Sequence, residues 1–209
     1  VIKASFDCSC VRLYNLVFSD QPSEHRGKEF RNFLTWTKES NGDTEITNTQ
    51  WSPPPPKSIV DCEEMNLEER LKDLLKAPGK SSRVFNYTHP VKEQSMFVPK
   101  NCPIEEKQNM LWLGLDELIM YSESKSFKVP LSDCFVVRNS FTVRNIDTNK
   151  CELIWKLGIE FVKSTMFKAK ITKSVQDENL EIAQKVVSLM KAKVSEDLET
   201  KNQIIPKAI

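Results

Sequence analysis

The chain has 209 residues, of which 39% are hydrophobic and 28% are charged, and its net charge is +1. This length suits one domain, with or without tails, that can bury a sizeable core. The balanced charge gives no bulk attraction for nucleic acid, so no nucleic-acid partner is expected. No apolar run is long enough to span a bilayer, and the five glycines form neither common phosphate-binding loop.

The six cysteines and two histidines lack the spacing of a zinc site. No two cysteines form a Cys-x-x-Cys pair, and neither histidine lies near a cysteine cluster. Cys102, Cys134 and Cys151 fall in or beside predicted strands, where a free cysteine acts as a small apolar residue. Reduced cysteines in a cytosolic protein are therefore expected, with no metal or other cofactor. The sequence begins at Val1 without a signal peptide, which indicates a domain taken from a longer protein.

The N-terminal part predicts two short helices and a strand. Residues 10–18 carry apolar side chains near helical spacing, with Ser9 placed to cap them. Residues 29–38 predict a second helix. Residues 45–51 alternate between polar and apolar side chains and predict a first strand.

An insertion follows, over residues 53–81. It opens with four prolines, which cannot join a strand ladder and favour an extended polyproline conformation. Residues 66–77 predict an amphipathic helix capped by Asn66. Its leucine stripe is made of Leu67, Leu71, Leu74 and Leu75. Such a stripe more often docks on its own domain than on a partner protein.

The stretch 82–167 predicts four or five consecutive antiparallel strands. Within residues 133–144, Phe135 and Val137 point to one face while Arg138 points to the other. The strand that follows alternates in the same way. This pattern is typical of a sheet with one solvent-exposed face and one buried face, which we call the dry face.

A long helix closes the chain. Residues 165–193 have Ala183 and Met190 on an apolar stripe at helical spacing. A single domain is therefore expected over residues 1–198, with a flexible tail over residues 199–209.

The connection 89–99 has an apolar tip formed by Met96, Phe97 and Val98. Loops usually expose polar residues, so this tip indicates a lid over a pocket or a wedge for a bilayer surface. The alternative is a plug that folds back onto the core. A sheet wrapped on a helix can likewise enclose either a cavity or a solid core, because large apolar side chains line both.

Four ordered blocks of this region resemble a known family. They are Arg83, Phe85, Tyr87, Thr88 and Pro90; Pro99, Lys100 and Cys102; Val129, Pro130, Asp133 and Phe135; and Phe161, Lys163, Thr165, Met166, Phe167, Lys168, Lys170 and Ile171. Their order and spacing resemble the VASt domain, also called the ASTER domain, which is the START-like lipid-binding domain found downstream of GRAM domains. The resemblance covers roughly residues 11–194, including the N-terminal helix pair.

The resemblance implies an α+β helix-grip (START-like) fold, in which a curved antiparallel β-sheet wraps around a long C-terminal α-helix and encloses an apolar cavity. It implies a lipid ligand, in many members a sterol, and transfer between apposed membranes. Members typically belong to larger proteins anchored in the endoplasmic reticulum at membrane contact sites, so a cytosolic, monomeric domain of such a protein is expected. The family's lid maps onto residues 90–99, where Met96, Phe97 and Val98 stand in place of a small residue. The 53–81 insertion is longer than expected.

The pocket is expected between the dry face of the sheet and the N-terminal part of the long helix. The side chains predicted to line it and bind lipid are Phe85, Tyr87, Trp112, Phe135, Val137, Phe141, Trp155, Phe161 and Phe167. The predicted lid and membrane contacts are Met96, Phe97, Val98 and Lys100. The candidate partners for a lipid hydroxyl are Tyr87, Gln108 and Asn139. The lysines that could transiently attract an anionic leaflet are Lys92, Lys100, Lys163, Lys168 and Lys170.

The sequence predicts a binding domain rather than an enzyme. Glu105 and Glu106 are adjacent in a strand, so they face opposite sides and cannot act as an acid/base pair. No nucleophile motif is present, which disfavours a START-like enzyme. Two alternatives stay open: a protein-interaction domain with a filled core, and a binder of a different lipid such as a phospholipid.

Overall fold

The structure, a computed structural model, describes residues 1–25, 27–60, 65–76, 80–91 and 99–204. Its main feature is a seven-stranded antiparallel sheet in the order β1-β9-β8-β7-β6-β5-β4. The strands are β1 Ile2–Phe6, β4 Thr44–Asn48, β5 Ser81–Pro90, β6 Asn101–Leu113, β7 Glu117–Ser126, β8 Phe135–Asp147 and β9 Lys150–Phe161. A small hairpin, β2 Ser23–His25 with β3 Lys28–Phe30, lies apart from it.

Strands β5 to β9 form the predicted meander, in which each strand pairs with the next along the chain. Pro90 lies opposite Asn101, and Phe135 lies opposite Phe161. One edge of the sheet therefore gathers the end of β5, the start of β6, the end of β7, the start of β8 and the end of β9. We call this the mouth edge, because the cavity described below extends to it.

Strand β1 was not predicted. Its residues alternate in burial and pair with β9, with Ile2 opposite Trp155 and Phe6 opposite Cys151. The strand has only five residues, which are too few for their alternation to stand out. Strand β4 is shorter than the predicted strand over residues 45–51, since it ends at Asn48.

The N-terminal helical segment follows the prediction for residues 10–18. It consists of α1 Cys10–Leu13 and a π-helical turn Tyr14–Phe18, and the Ser9 side chain accepts a hydrogen bond from the Arg12 backbone N–H. The prediction of one helix over residues 29–38 was wrong in its first part. There β3 ends at Phe30, and α2 Phe33–Ser40 begins after an Asn32 cap whose side chain accepts from the Thr35 N–H at 2.8 Å.

The insertion contains α3 Lys57–Val60 and α4 Leu67–Lys76. A reciprocal capping box begins α4, since the Asn66 side chain accepts from the Glu69 N–H while the Glu69 carboxylate accepts from the Asn66 N–H. The side chains of the predicted leucine stripe are outside the described part of the structure. The surface that the stripe packs against therefore stays a prediction.

Helix α5 Lys168–Ile204 closes the domain. It begins three residues later than predicted and continues 11 residues past residue 193, into the region expected to be a tail. The side chains that it buries are Ala183, Val186, Val187, Met190 and Val194. Near its C-terminal end Asp197 pairs with Arg12 of α1, at 3.0 Å from Nε. A large antiparallel sheet with a long C-terminal helix on one side is the predicted α+β helix-grip fold, which the structure confirms.

Candidate functional site

A cavity of about 270 Å³ lies between the sheet and α5. The inner faces of β5 to β8 form one wall, and residues of α5 from Val175 to Met190 form the other. Helix α2 contributes Leu34 and Lys38. The volume is just below the roughly 300–1,000 Å³ of small-molecule pockets. Of the two interiors that the sequence left open, a cavity or a solid core, the structure therefore has a cavity.

The end of the cavity farthest from the mouth edge is an apolar floor. Phe18 of the π-helical turn meets Phe141 edge-on, with ring centroids 6.1 Å apart, and Phe141 lies against Trp155 at 4.5 Å. Met120 and Met190 complete this floor. The strand register explains the set, because Met120, Phe141 and Trp155 are direct neighbours across β7, β8 and β9.

A polar belt crosses the cavity wall between the floor and the mouth edge. Gln108, Ser122 and Asn139 are direct neighbours across β6, β7 and β8. The Asn139 amide donates to Ser122 Oγ at 3.2 Å, and its Oδ1 accepts from the Trp155 indole N–H at 3.4 Å. Ser124 continues the polar surface one row closer to the mouth edge. A guest in the cavity would therefore meet hydrogen-bonding groups between the apolar floor and the mouth edge.

Beside this belt stands a buried ion pair. The Lys38 ammonium lies 2.8 Å from Glu106 Oε2, and both side chains are almost fully buried. Glu106 also accepts from the Gln108 amide at 2.6 Å and from the Tyr87 hydroxyl at 3.3 Å. Arg83 holds the other side of Gln108, with its Nε 2.9 Å from Oε1. Each member is thereby fixed by at least one neighbour, as buried polar groups require.

Both members of the ion pair are held in their charged forms. Burial alone would lower the pKa of Lys38, but the negative charge of Glu106 raises it above its ordinary value. Burial alone would likewise raise the pKa of Glu106, but Lys38 and the hydrogen bond from Gln108 bring it below its ordinary value. Burial raises the pKa of Tyr87, so its hydroxyl stays protonated. The wall thus presents a matched pair of charges and a neutral phenol.

A second charged cluster closes the side of the cavity between β5 and α5. His89 of β5 contacts Asp43 with its Nδ1 at 2.5 Å, and Glu178 of α5 with its Nε2 at 3.4 Å. Burial alone would lower the pKa of His89, but these two carboxylates raise it to about 9. The imidazolium therefore bridges the loop after α2 and the long helix.

Five of the nine predicted lining residues contribute to the cavity wall: Tyr87, Phe135, Val137, Phe141 and Trp155. The three predicted hydroxyl partners, Tyr87, Gln108 and Asn139, also lie on the wall. Alternation along the strands is the signal that placed them on the dry face. That these side chains contact a lipid stays a prediction.

The other four predicted lining residues lie elsewhere. Phe85 points inward but is fully buried, with the Lys38 ammonium 5.4 Å and the Arg83 guanidinium 5.0 Å from its ring centroid. Trp112 packs edge-on against Tyr14 at 5.4 Å, on the far side of the floor. Phe161 lies beside Phe135 at the mouth edge. Phe167 is exposed in the connection between β9 and α5.

Of the predicted lid, only Lys100 falls within the described residues, and it is exposed at the start of β6. Met96, Phe97 and Val98 lie outside them, as does Lys92. The lid assignment therefore stays a prediction.

Sequence reasoning missed the charged groups Lys38, Asp43, His89, Glu106 and Glu178. They come from four separate regions of the chain, so no local motif joins them. Glu106 and His89 carried a usable signal, because Glu106 shares the strand parity of Gln108 and His89 shares that of Tyr87, and both of those residues were placed inside.

Within the described ranges, no group of three or more His, Cys, Asp or Glu side chains is arranged to hold a metal ion. Among the helices of those ranges, none is both long and apolar enough to cross a membrane.

A comparison with known protein families shows to which family the chain belongs. The sequence model described as "VAD1 Analog of StAR-related lipid transfer domain", or VASt, matches residues 1–178. The chain belongs to the VASt family. VASt domains are lipid-binding domains, and in this one a cavity lies between the sheet and the long helix. None of the curated proteins compared with the chain matches it.

Two ion pairs explain some of the residues that carry the VASt resemblance. Arg83 of the first block donates through Nη1 to Asp20 at 2.7 Å, which ties β5 to the N-terminal segment. Lys163 of the last block contacts Asp133 of the third block at 2.5 Å. The second pair joins the β7–β8 and β9–α5 connections at the mouth edge. In this chain, side chains of these blocks therefore hold separate elements to one another.

Proposed function

We propose that this VASt domain binds a sterol, or another lipid with one small polar head, in the cavity between sheet and helix, and that it carries the lipid between apposed membranes. The observation that carries the proposal is the cavity itself, with an apolar floor and, nearer the mouth edge, a polar belt whose neighbouring charged groups are paired with one another. A sterol has one hydroxyl on a rigid apolar body, so one belt of donors and acceptors matches its chemistry. A phospholipid is the second candidate ligand, because the same belt offers partners to an ester or phosphate oxygen.

The site supports binding rather than catalysis. Both ring nitrogens of His89 face carboxylates, Asp43 and Glu178, so the imidazole is occupied as a structural cation. The Lys38 ammonium is likewise neutralised by Glu106. We therefore propose a non-enzymatic carrier. We also propose that it works as a monomeric cytosolic part of a larger protein held at the endoplasmic reticulum, where contact sites bring two membranes within its reach.

The proposal is tested with two variants on neighbouring positions of β7. Ser124→Phe projects a ring into the cavity, while Lys125→Phe places the same ring on the outer face, where the lysine is exposed. Purified protein is analysed by native mass spectrometry for co-purified lipid, and then by titration with a fluorescent sterol supplied from cyclodextrin, without vesicles.

The unmodified chain and Lys125→Phe are expected to bind sterol equally, and Ser124→Phe to bind it at least about tenfold more weakly, since a ring takes up the space of the guest. Circular dichroism checks that both variants fold. Co-purification of a phospholipid mass together with no sterol uptake would select the second ligand class. If the unmodified chain takes up neither lipid, a filled core with a protein-binding role becomes the better account.

A further inference from the structure

Strand β7 carries three serines in one line on the inner face of the sheet. Ser122, Ser124 and Ser126 occupy alternate positions of the strand, so their side chains point the same way, and all three line the cavity. Tyr121 and Lys125, which alternate with them, are exposed on the outer face. Successive serines lie about 7 Å apart, at about 3.4 Å per residue, and the row runs from the polar belt towards the mouth edge. We call this row the serine stripe.

The serine stripe gives up burial that other side chains would supply. The two inward positions that precede it on the same strand are Leu118 and Met120, and both are buried. A valine or isoleucine at each serine position would suit a strand better and would bury more apolar area. Departures of this kind from good packing are expected where a protein binds something. The stripe therefore marks a place where the cavity recognises a polar part of its guest.

Many hydrogen-bonding groups beside the stripe are already engaged within the protein. Gln108 uses both ends of its side-chain amide, at 2.9 Å and 2.6 Å, and so does Asn139, at 3.2 Å and 3.4 Å. On α5, Glu178 faces His89, and the Asn179 amide donates to a backbone carbonyl oxygen of its own helix at 2.7 Å. Much of the hydrogen-bonding capacity of these side chains is therefore taken up inside the domain.

The serine hydroxyls keep more of their capacity. A hydroxyl has one donor and two acceptor positions. Ser122 accepts one hydrogen bond, from the Asn139 amide, and the neighbour of Ser126 is the Cys102 thiol, which is a weak partner. Within the part of the chain that the structure describes, no group makes a hydrogen bond to the Ser124 hydroxyl. The stripe therefore offers a guest three hydroxyls in a row.

The surfaces next to the stripe and across from it are largely apolar. Val137 of β8 lies directly opposite Ser124 in the strand register, and Phe135 begins the same strand nearer the mouth edge. Helix α5 faces the sheet with Ile182 and Val186. A guest with polar groups along one face and hydrocarbon on the other would match both surfaces, because each polar group would find a partner and the rest would stay in apolar contact.

We propose that the preferred ligand is a sterol with hydroxyls at more than one position on one face of its rings, and that the serine stripe recognises them. This inference deepens the proposed function and rests on it, because it names the class of lipid that the same cavity takes. A sterol with a single hydroxyl can pair with only part of the stripe. A second hydroxyl on the matching face gains a partner, whereas one on the opposite face is buried against apolar side chains without a partner.

The test is a titration with three sterols delivered from cyclodextrin. Cholesterol has one hydroxyl, and 7α-hydroxycholesterol and 7β-hydroxycholesterol each add a second one, on opposite faces of the same ring. The two epimers have the same composition, so they form a matched pair of ligands. The serine variant combines Ser124→Ala with Ser126→Ala. Its control combines Ser140→Ala with Thr142→Ala, which removes two hydroxyls from the outer face of β8.

One epimer is expected to bind the unmodified chain at least about fivefold more tightly than cholesterol, as one added hydrogen bond provides. It should bind at least about tenfold more tightly than the other epimer, whose second hydroxyl is left unpaired. The readout is the ratio of affinities for two sterols in the same chain, so a general weakening of a variant cancels. The advantage over cholesterol should disappear in the serine variant and persist in its control. Circular dichroism checks that both variants fold.

An epimer preference that the serine variant loses and its control keeps supports recognition by the stripe. Equal affinities of the unmodified chain for all three sterols would overturn this inference while leaving the carrier proposal intact, because cholesterol is still bound. A preference that survives in the serine variant would overturn it as well, since the selectivity would then come from other side chains. Failure of the unmodified chain to bind any of the three sterols would overturn the sterol-carrier proposal and this inference together.

Discussion

Lys38 of α2 and Glu106 of β6 are 68 residues apart in sequence, yet their charged atoms lie 2.8 Å apart in the wall of the cavity. The Lys38 ammonium also lies 3.5 Å from the centroid of the Tyr87 ring. Ion pair and ring together hold α2 against the sheet on the side of the cavity that α5 leaves uncovered. This contact is therefore both a structural tie and part of the cavity wall.

Glu106→Leu should destabilise the domain strongly. Removing the carboxylate leaves the Lys38 charge buried without a partner, and breaking a buried ion pair in this way typically costs about 3–5 kcal/mol. The double variant Lys38→Met with Glu106→Leu should lose much less, because an apolar pair of similar volume often replaces a buried ion pair with little loss. Urea unfolding of the three chains measures the difference. A loss in the double variant as large as the loss in Glu106→Leu would show that the two charges do not act as a pair.

Arg83→Lys should lower the free energy of unfolding although it keeps the charge. The Arg83 side chain is 2% exposed and donates to both Asp20 and Gln108, while its guanidinium lies 4.2 Å from the centroid of the Trp51 ring. A lysine ammonium cannot reproduce this planar fork and its stacking together. A loss of about 2 kcal/mol or more is expected, since a partner is left unsatisfied in the interior. Arg138→Lys, at a half-exposed position on the outer face, serves as the control for urea unfolding. Equal stability of the two variants would contradict the expectation.

The sheet was largely predictable because each strand is specified by residues that are neighbours in the sequence. Alternation along β8 assigned Phe135, Val137 and Phe141 to one face, and all three line the cavity. Strand β1 was missed because five residues offer too little alternation to stand out. The junction of β3 and α2 was misread because Phe30 and Phe33 have a spacing that also fits a helix, while the Asn32 cap that begins α2 went unweighed.

The candidate site was less predictable because alternation along a strand shows which face of the sheet a side chain occupies, but not whether that side chain reaches the cavity. Phe85 and Tyr87 share a face, but only Tyr87 reaches the cavity, since the Phe85 ring is fully buried beside the Arg83 guanidinium. Arg83 is in turn held by Asp20, which is far away in the sequence. The cluster of His89 with Asp43 and Glu178 was unpredictable for the same reason, because its three members meet only once the helix lies on the sheet.

The stability of the domain should fall between about pH 6.5 and about pH 9 through His89. Its pKa is about 9 in the folded state against an ordinary value of 6.5, so folding favours the protonated form. The resulting stabilisation is fully present below pH 6.5 and is lost as the pH rises through 9. At about 1.36 kcal/mol per unit of pKa, it amounts to roughly 3 kcal/mol for this largely buried side chain.

Urea unfolding at pH 6.5 and pH 9.5 tests this dependence in three chains. The unmodified chain should lose stability at the higher pH by about 3 kcal/mol more than His89→Gln does, because that variant lacks the titrating group. His25→Gln, which removes the other histidine, is the third chain and shows how much of the change follows from losing any imidazole. Identical profiles for the unmodified chain and His89→Gln would refute the assignment of the charge to this bridge.

A chain that ends at residue 178, where the family match ends, should not fold. Five apolar side chains of α5 beyond that point are buried, from Ala183 to Val194, and Ile182, Val186 and Met190 also line the cavity. Deleting a single large core side chain costs about 2–5 kcal/mol, and a domain has only about 5–15 kcal/mol in total. A chain ending at residue 199 keeps all of these contacts and the pairing of Asp197 with Arg12. It should therefore retain a cooperative urea transition and sterol uptake, and the shorter chain should show neither. Cooperative unfolding of the 178-residue chain would mean that the domain folds without the second half of α5.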